Sequence, residues 1–137
     1  MHGYQEDLRN RFPEERQDES LVQCGHMKLD EREQRMVAKF RTRLIPLLGD
    51  RLKDLRVFGS RARGDAHPTS DLDVFVLIDL YDRPIRNQIL DIADDIWEEE
   101  GLAIELSPLV MGVAEFEHLK SRERRLVRDI LSEGIRV

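Results

Sequence analysis

The first clear pattern of apolar and polar residues begins at Asp30 and is helical. Between Asp30 and Leu48, apolar residues recur every three or four positions, with arginine and lysine on the other face. This spacing predicts an amphipathic helix, and Asp30 is a suitable N-cap for it. Pro46 is expected to bend or shorten the last turn, and Gly49-Asp50 to end the helix.

Two apolar runs with the length of strands follow this helix. Leu55–Phe58 predicts a short buried strand, and Leu72–Leu80 predicts a second one. The second run is almost continuously apolar, which is typical of a central strand covered on both faces. Between the runs, residues 60–64 are predicted to begin a short helix and residues 65–70 to form a loop.

The second half of the chain repeats the alternation of helix and strand. Residues 84–100 have the clearest helical pattern, with Pro84 in the first turn and Gly101 after the last. Residues 102–106 predict a third strand, which could extend past Pro108 to Met111. Residues 113–120 and 121–133 predict two more helices. The order indicates an α/β (α+β) domain with a small mixed sheet flanked by helices.

The first 26 residues differ from the rest of the chain. They are polar and lack sustained apolar periodicity. A mobile arm, an ordered helix packed on the domain, and an alternative start at Met27 are all compatible with this pattern. Residues 1–26 are therefore treated as an N-terminal extension, and residues 27–137 as a single domain.

Composition limits the class of protein. With 22 basic and 28 acidic residues the net charge is −6, which argues against binding of long nucleic acids. The one cysteine, Cys24, excludes an internal disulfide and suits a reducing compartment. No apolar run is long enough for a membrane helix, and the charged N-terminus lacks the apolar core of a secretory signal. A cytoplasmic protein is expected.

Candidate chemistry lies at the ends of the two apolar runs. Gly59-Ser60 follows the first, ten residues intervene, and Asp71-x-Asp73 opens the second. Because side chains alternate along a strand, Asp71 and Asp73 should point to one face. Two adjacent carboxylates repel each other unless a cation lies between them, and Mg²⁺ favours carboxylate oxygens together with substrate phosphates. The glycine lets the backbone approach a ligand closely.

This G-S-x10-D-x-D pattern resembles the signature of the DNA polymerase beta-like nucleotidyltransferase superfamily. The form Gly59-Ser60-Arg61-Ala62-Arg63-Gly64 is similar to that of its minimal nucleotidyltransferase branch, which includes antitoxins paired with HEPN toxins. The resemblance covers roughly residues 30–137 and implies the polymerase beta-like palm fold. It also implies ATP as substrate and two Mg²⁺ ions.

Three acidic residues are the candidates for catalysis and metal binding. The resemblance implies that Asp71 and Asp73 bridge the ions. A third carboxylate should come from a neighbouring strand, and Glu105 is the only acid within the predicted third strand. The resemblance gives this position a part in metal binding and in deprotonating the acceptor hydroxyl, although the family more often has Asp there. The alternative is a glutamate at the strand edge that reaches solvent.

The nucleotide-binding candidates are Gly59, Ser60, Arg61, Arg63 and Ser70. Ser60 would hydrogen-bond a β- or γ-phosphate. Arg61 and Arg63 diverge on a helical turn, so at most one should touch phosphate, and the other would pair with Asp65 or remain solvated. Ser70 would either cap the entry to the strand or orient Asp71.

The resemblance also implies an acceptor and a partner. In the minimal branch the enzyme places AMP on a tyrosine hydroxyl of a helical HEPN toxin and silences it. The partner here would be such a toxin or a second copy of the chain. Three alternatives remain: a module that neutralises a toxin by contact alone, an adenylyltransferase for small molecules such as aminoglycosides, and a nucleotidyltransferase for RNA, which the net charge disfavours.

Overall fold

The structure, a computed structural model, describes residues 29–122 and 124–137. Within these ranges the chain forms five α-helices, one 3-10 turn and four β-strands. In chain order they are α1 (Glu31–Leu48), the 3-10 turn (Gly49–Arg51), β1 (Leu52–Phe58), α2 (Ser60–Arg63), β2 (Leu72–Ile78), α3 (Arg83–Glu99), β3 (Leu106–Gly112), α4 (Val113–Arg122), α5 (Arg124–Glu133) and β4 (Ile135–Arg136). The N-terminal extension lies outside the described residues, so the alternatives for it stay predictions.

The four strands form one mixed sheet in the order β3-β2-β1-β4. β1 runs antiparallel to both β2 and β4, whereas β2 and β3 are parallel and are connected through α3. The register places Phe58 at the end of β1 opposite Asp73 in β2, and Asp73 opposite Ser107 in β3. The α/β (α+β) class with a small mixed sheet flanked by helices is therefore confirmed.

Two hydrophobic clusters cover the two faces of β2. Leu72, Val74, Val76 and Ile78 belong to the larger cluster, which contains the apolar faces of α1 and α3. Phe75 and Leu77 belong to the smaller cluster with residues of α4 and α5. The rings of Phe75 and Phe116 lie 5.2 Å apart between centroids. Apart from Asp73, β2 is apolar and buried on both faces, and its predicted central place in the sheet is confirmed.

Helix α1 begins with a capping box. The Glu33 amide donates to Asp30 Oδ1 at 2.8 Å, and the Asp30 amide donates to Glu33 Oε1 at 2.7 Å. These bonds satisfy donors that have no acceptor within the helix. The predicted N-cap is thus confirmed, whereas Pro46 does not shorten the helix, which continues to Leu48.

The third strand begins later than predicted. Residues 101–105 form a turn, and β3 occupies Leu106–Gly112. Gly101 and Leu102 both have positive φ, and the Leu102 amide donates to the Trp97 carbonyl at 2.9 Å, so the chain reaches the sheet only at residue 106. Pro108 lies within this strand and does not end it, because β3 is at the edge of the sheet, where a missing N–H is tolerated.

Other boundaries differ by a few residues. β1 begins three residues before the predicted strand, and β2 ends at Ile78 rather than Leu80. The strand β4 was not predicted, because two residues carry no readable periodicity. Among the described helices, none is both long and apolar enough to cross a membrane.

Candidate active site

Gly59 brings the backbone against one of the candidate carboxylates. It joins β1 to α2 with φ of +79° and ψ of −161°. Residues other than glycine rarely adopt this backbone conformation. A Cβ at this position would lie 2.6 Å from Asp73 Oδ2. The register explains this proximity, because Phe58, the residue before Gly59, is paired with Asp73. The two halves of the motif therefore meet, although ten residues separate them in sequence.

Asp71 lies just before β2 and is exposed, whereas Asp73 is the second residue of β2 and is half-buried. Burial raises the pKa of Asp73 above its ordinary value, and the charge of Asp71 raises it further. No hydrogen bond or ion pair joins either carboxylate to another of the residues that the structure describes. The site therefore concentrates negative charge that no described side chain neutralises.

Ser60 occupies the first position of α2, next to the Gly59 backbone. The Arg63 amide donates to the Gly59 carbonyl at 3.1 Å, and the Gly64 amide donates to the Ser60 carbonyl at 2.9 Å. The amides at the start of the turn precede these bonds and have no acceptor within the helix. The Ser60 hydroxyl likewise has no partner within residues 29–122 and 124–137. The contact of Ser60 with phosphate stays a prediction.

Arg61 occupies a different environment from the one expected of a phosphate ligand. Its side chain is buried, with 8% of it exposed, and its Nη1 donates to Glu33 Oε2 at 2.6 Å. Its remaining hydrogen bonds go to backbone carbonyls of the loop between α2 and β2. Arg61 therefore makes four hydrogen bonds, one to Glu33 and three to this loop.

Arg63 and Ser70 also have partners within the protein. Arg63 is exposed and pairs with Asp65 at 3.3 Å and with Glu133 at 3.2 Å. The Ser70 hydroxyl accepts from the His67 amide at 3.0 Å and closes the turn before Asp71. Ser70 therefore shapes the entry to the strand, and the contacts of Arg63, Arg61 and Ser70 with phosphate stay predictions.

Glu105 lies just before β3 rather than within it, and its side chain is exposed rather than buried. The expectation of an acid inside a buried strand is therefore wrong. The Leu72 amide donates to the Glu105 carbonyl at 2.8 Å, and Leu72 is paired with Leu106, so Glu105 is adjacent to Asp71 in the register. Within the described part of the chain, no three His, Cys, Asp or Glu side chains are arranged to hold a metal ion. The role of Glu105 as third carboxylate stays a prediction.

The donor set of Asp71 and Asp73 fits a divalent cation. Both groups offer carboxylate oxygens, which Mg²⁺ prefers, and both carboxylates lack a described cationic partner. A side chain at residue 59 would crowd Asp73 Oδ2, because a Cβ there would lie 2.6 Å from this oxygen. Asp71 and Asp73 would hold the ion. Glu105, which lies beside Asp71 in the strand pairing, is the candidate for a third carboxylate ligand.

Two residues near the site were not predicted from the sequence. Ser107 is opposite Asp73 in the register and shares its face of the sheet, but only the strand pairing shows this. Glu33 contacts Arg61 and is buried, with 3% exposed. Its capping-box position was readable from Asp30-x-x-Glu33, but its long-range partner was not.

The chain belongs to the nucleotidyltransferase domain family, whose model matches residues 35–137. The matched region includes Gly59, Ser60, Asp71, Asp73 and Glu105. Family membership makes the chain a transferase of nucleotidyl groups. A solved structure of a candidate nucleotidyltransferase from Sulfolobus solfataricus is 23% identical, with 77% of this chain and 82% of that chain covered and a TM-score of 0.40. No curated protein matches the chain.

Proposed function

We propose that the chain transfers AMP from ATP to a hydroxyl group, most specifically a tyrosine of a helical HEPN-type partner protein. The observation that carries the transfer reaction is the pair of carboxylates at residues 71 and 73, which have no cationic partner among the described residues, with Asp73 lying against Gly59. Such a pair suits nucleotidyl transfer, because carboxylates can hold divalent metal ions, and the positive charge of those ions would offset both the carboxylates and the phosphates of the nucleotide.

In the proposed reaction, the acceptor oxygen forms a bond to the α-phosphorus while the bond from that phosphorus to the oxygen bridging to the β-phosphate breaks. Pyrophosphate leaves, and the hydroxyl proton goes to Glu105 or to solvent. Bound Mg²⁺, two ions by resemblance to the family, would neutralise charge on the reacting oxygens. Asp71 and Asp73 would hold the ions, and the Ser60 hydroxyl would donate to a β- or γ-phosphate oxygen.

The acceptor proposal rests on the resemblance to the minimal branch and on the exposure of the site. Asp71 and Glu105 are both exposed, so a macromolecule could reach the metal-binding edge without rearrangement of the core. A second copy of this chain is the other candidate partner. A tyrosine hydroxyl is chemically suitable, because deprotonation yields a stabilised phenolate nucleophile.

The first prediction concerns the loss of both carboxylates. Asp71→Ala combined with Asp73→Ala should reduce Mg²⁺-dependent transfer of α-labelled AMP by at least about 100-fold, the upper end of what losing an outer-shell contact costs. The measurement is label incorporated into the copurified helical partner, with aminoglycosides and tRNA as alternative acceptors. Asp79→Ala is the matched control, because Asp79 follows the opposite end of β2 and pairs with Arg51.

Three outcomes would contradict different parts of the proposal. Full neutralisation of the partner by the double variant would show that the chain acts on its partner by contact alone. Absence of Mg²⁺-dependent ATP binding by the wild-type protein would remove the proposed substrate. Labelling of an aminoglycoside or a tRNA in place of the protein would retain the chemistry and change the acceptor.

A further inference from the structure

Arg61 connects the two halves of the motif through the protein interior. Its Nε donates to the Ser70 carbonyl at 2.9 Å, and its Nη2 donates to the carbonyls of His67 at 3.2 Å and Pro68 at 3.1 Å. Arg61 itself follows Ser60, and the loop that it binds ends at Asp71. The side chain of Arg61 therefore links the turn at Gly59-Ser60 to the segment that leads into Asp71 and Asp73.

Glu33 fixes the far end of this connection. Its Oε1 accepts from the Asp30 amide within the capping box, and its Oε2 accepts from Arg61 Nη1. Glu33 and Arg61 are 3% and 8% exposed, so neither charge is well solvated and each depends on the other. The start of α1 therefore serves as the anchor from which Arg61 reaches the loop.

The contact geometry requires arginine rather than a general cation. A guanidinium is planar and offers five N–H donors in a fixed fork, and here they reach one carboxylate and three carbonyls at once. A lysine ammonium could keep the charge pairing with Glu33, but one nitrogen could not reach all four acceptors. The side chain therefore holds several backbone positions at the same time.

We infer that Arg61 is a positioning residue, which holds the loop 67–70 so that Asp71 and Asp73 face Gly59 and Ser60 at the separation that metal and nucleotide require. This inference rests on the proposed function for its catalytic consequence. It assigns Arg61 a place beneath the site instead of contact with phosphate. Glu33 acts through Arg61 in the same arrangement.

The test compares Arg61→Met and Arg61→Lys with a second buried arginine. Arg56 is 2% exposed, pairs with Asp54 at 2.8 Å and donates to the Leu131 carbonyl, so Arg56→Met controls for the loss of a buried cation away from the motif. Amide hydrogen exchange at His67 and Ser70 reports on the loop, because each of these amides donates within the turn. Mn²⁺ affinity and the Mg²⁺ dependence of kcat report on the site.

Arg61→Met should lose exchange protection at His67 and Ser70, and weaken metal affinity and kcat by about 10- to 100-fold, the usual cost of losing an outer-shell contact. Arg61→Lys should regain thermal stability without regaining metal affinity, a split that a purely structural ion pair would not produce. Arg56→Met should lower stability and leave the metal dependence as in the wild type. If Arg61→Met does not fold, Glu33→Gln, which keeps the cap acceptor, should change the same readouts in the same direction.

The inference is overturned if Arg61→Met keeps both the exchange rates of the loop and the metal affinity of the wild type. It is also overturned if Arg61→Lys restores metal affinity fully, because charge alone would then suffice. A wild-type protein that binds no metal and transfers no nucleotide would refute the proposed function instead. In that case the exchange rates still decide whether Arg61 holds the loop.

Discussion

At the residue scale, Gly59 is restricted for two separate reasons. Its backbone conformation, with φ of +79°, is costly for any residue with a Cβ, and an added Cβ would meet Asp73 Oδ2 at 2.6 Å. The sequence supports the first reason, since a glycine between a strand and a helix is typical of such a turn. The second depends on the pairing of Phe58 with Asp73, which becomes visible only in the folded sheet.

Gly59→Ala should therefore reduce both stability and metal binding. The strained backbone alone should lower the free energy of unfolding by about 1–3 kcal/mol. Gly49→Ala is the matched control, because Gly49 also has positive φ, at +52°, but a Cβ added there would meet no atom within 4 Å. Denaturant unfolding and Mn²⁺ titration would check this, and equal metal affinity in the two variants would contradict the clash with Asp73.

Asp73 should reduce stability in the absence of metal. Its pKa is raised in the folded protein, chiefly by burial, so its ionised form is less favourable there than in the unfolded chain. While Asp73 is protonated the folded protein does not bear the cost of burying its charge. This advantage is lost as the pH rises from 3.8, the ordinary pKa of the carboxyl, through its raised pKa in the folded protein. Asp73→Asn should consequently raise the melting temperature at pH 7 without metal, and the gain should vanish at acidic pH.

Thermal melts of Asp73→Asn with and without Mg²⁺ measure this effect. Added Mg²⁺ should stabilise the wild-type protein and leave the variant unchanged, since a ligand stabilises only the state that binds it. Asp79→Asn serves as the comparison, because removal of its ion pair with Arg51 offers no relief of burial. A lower melting temperature for Asp73→Asn than for the wild type at pH 7 would contradict the argument.

At the element scale, the end of α3 combines unfavourable charges with a neighbouring helix that compensates them. Glu98, Glu99 and Glu100 lie at the negative end of the helix dipole, where acidic residues are disfavoured. Arg35, Lys39 and Arg43 of α1 pair with Glu99 and Glu100. The sequence of either helix alone does not show that these two charged faces meet, because the contact depends on how the helices pack.

Glu100→Gln should remove a pH-dependent part of the stability. Hydrogen bonds from Arg35 and then Lys39 lower the pKa of Glu100 to about 2. The stability from this pairing is present above the ordinary pKa of 4.5 and is lost as pH falls toward about 2. The wild type should therefore melt at a higher temperature than the variant at pH 7, and the difference should disappear near pH 2.

The control for this prediction lies on the same helix. Asp94 is exposed and has no ion pair with the residues that the structure describes, so Asp94→Asn should leave the pH profile of the melting temperature nearly unchanged. High salt should also reduce the effect of Glu100→Gln, because Arg35 and Lys39 are accessible to solvent ions that screen their charges. Equal pH profiles for Glu100→Gln and the wild type would show that the ion pairs do not contribute.

Strand β3 is the element whose boundaries the sequence predicted least well. Leu102 and Ile104 suggested a strand, but the positive φ values at Gly101 and Leu102 direct these residues into a turn. The possible extension of the strand past Pro108 is confirmed, because the edge position of β3 tolerates a residue without an N–H. The packing of the folded chain determines where this strand begins. The prediction placed Glu105 inside the strand, whereas in the structure it precedes the strand and is exposed.

At the scale of the whole molecule, the order and type of the main elements followed from periodicity. The continuous apolar run of β2 indicated burial on both faces, and the helical layers on the two sides of the sheet account for it. Strand partners and register were not readable, because they depend on contacts between distant segments. The placement of Ser107 beside Asp73, and the hold of Arg61 on the loop, belong to that second category.

The edge formed by β3 also affects how copies of this chain can associate. An exposed edge strand ordinarily offers unpaired backbone groups to which another chain can add a strand and propagate aggregation. Pro108 removes one backbone donor from this strand, and proline on an edge is one of the devices that discourage such addition. Extension of the sheet into a fibril-like ladder is therefore disfavoured at this edge.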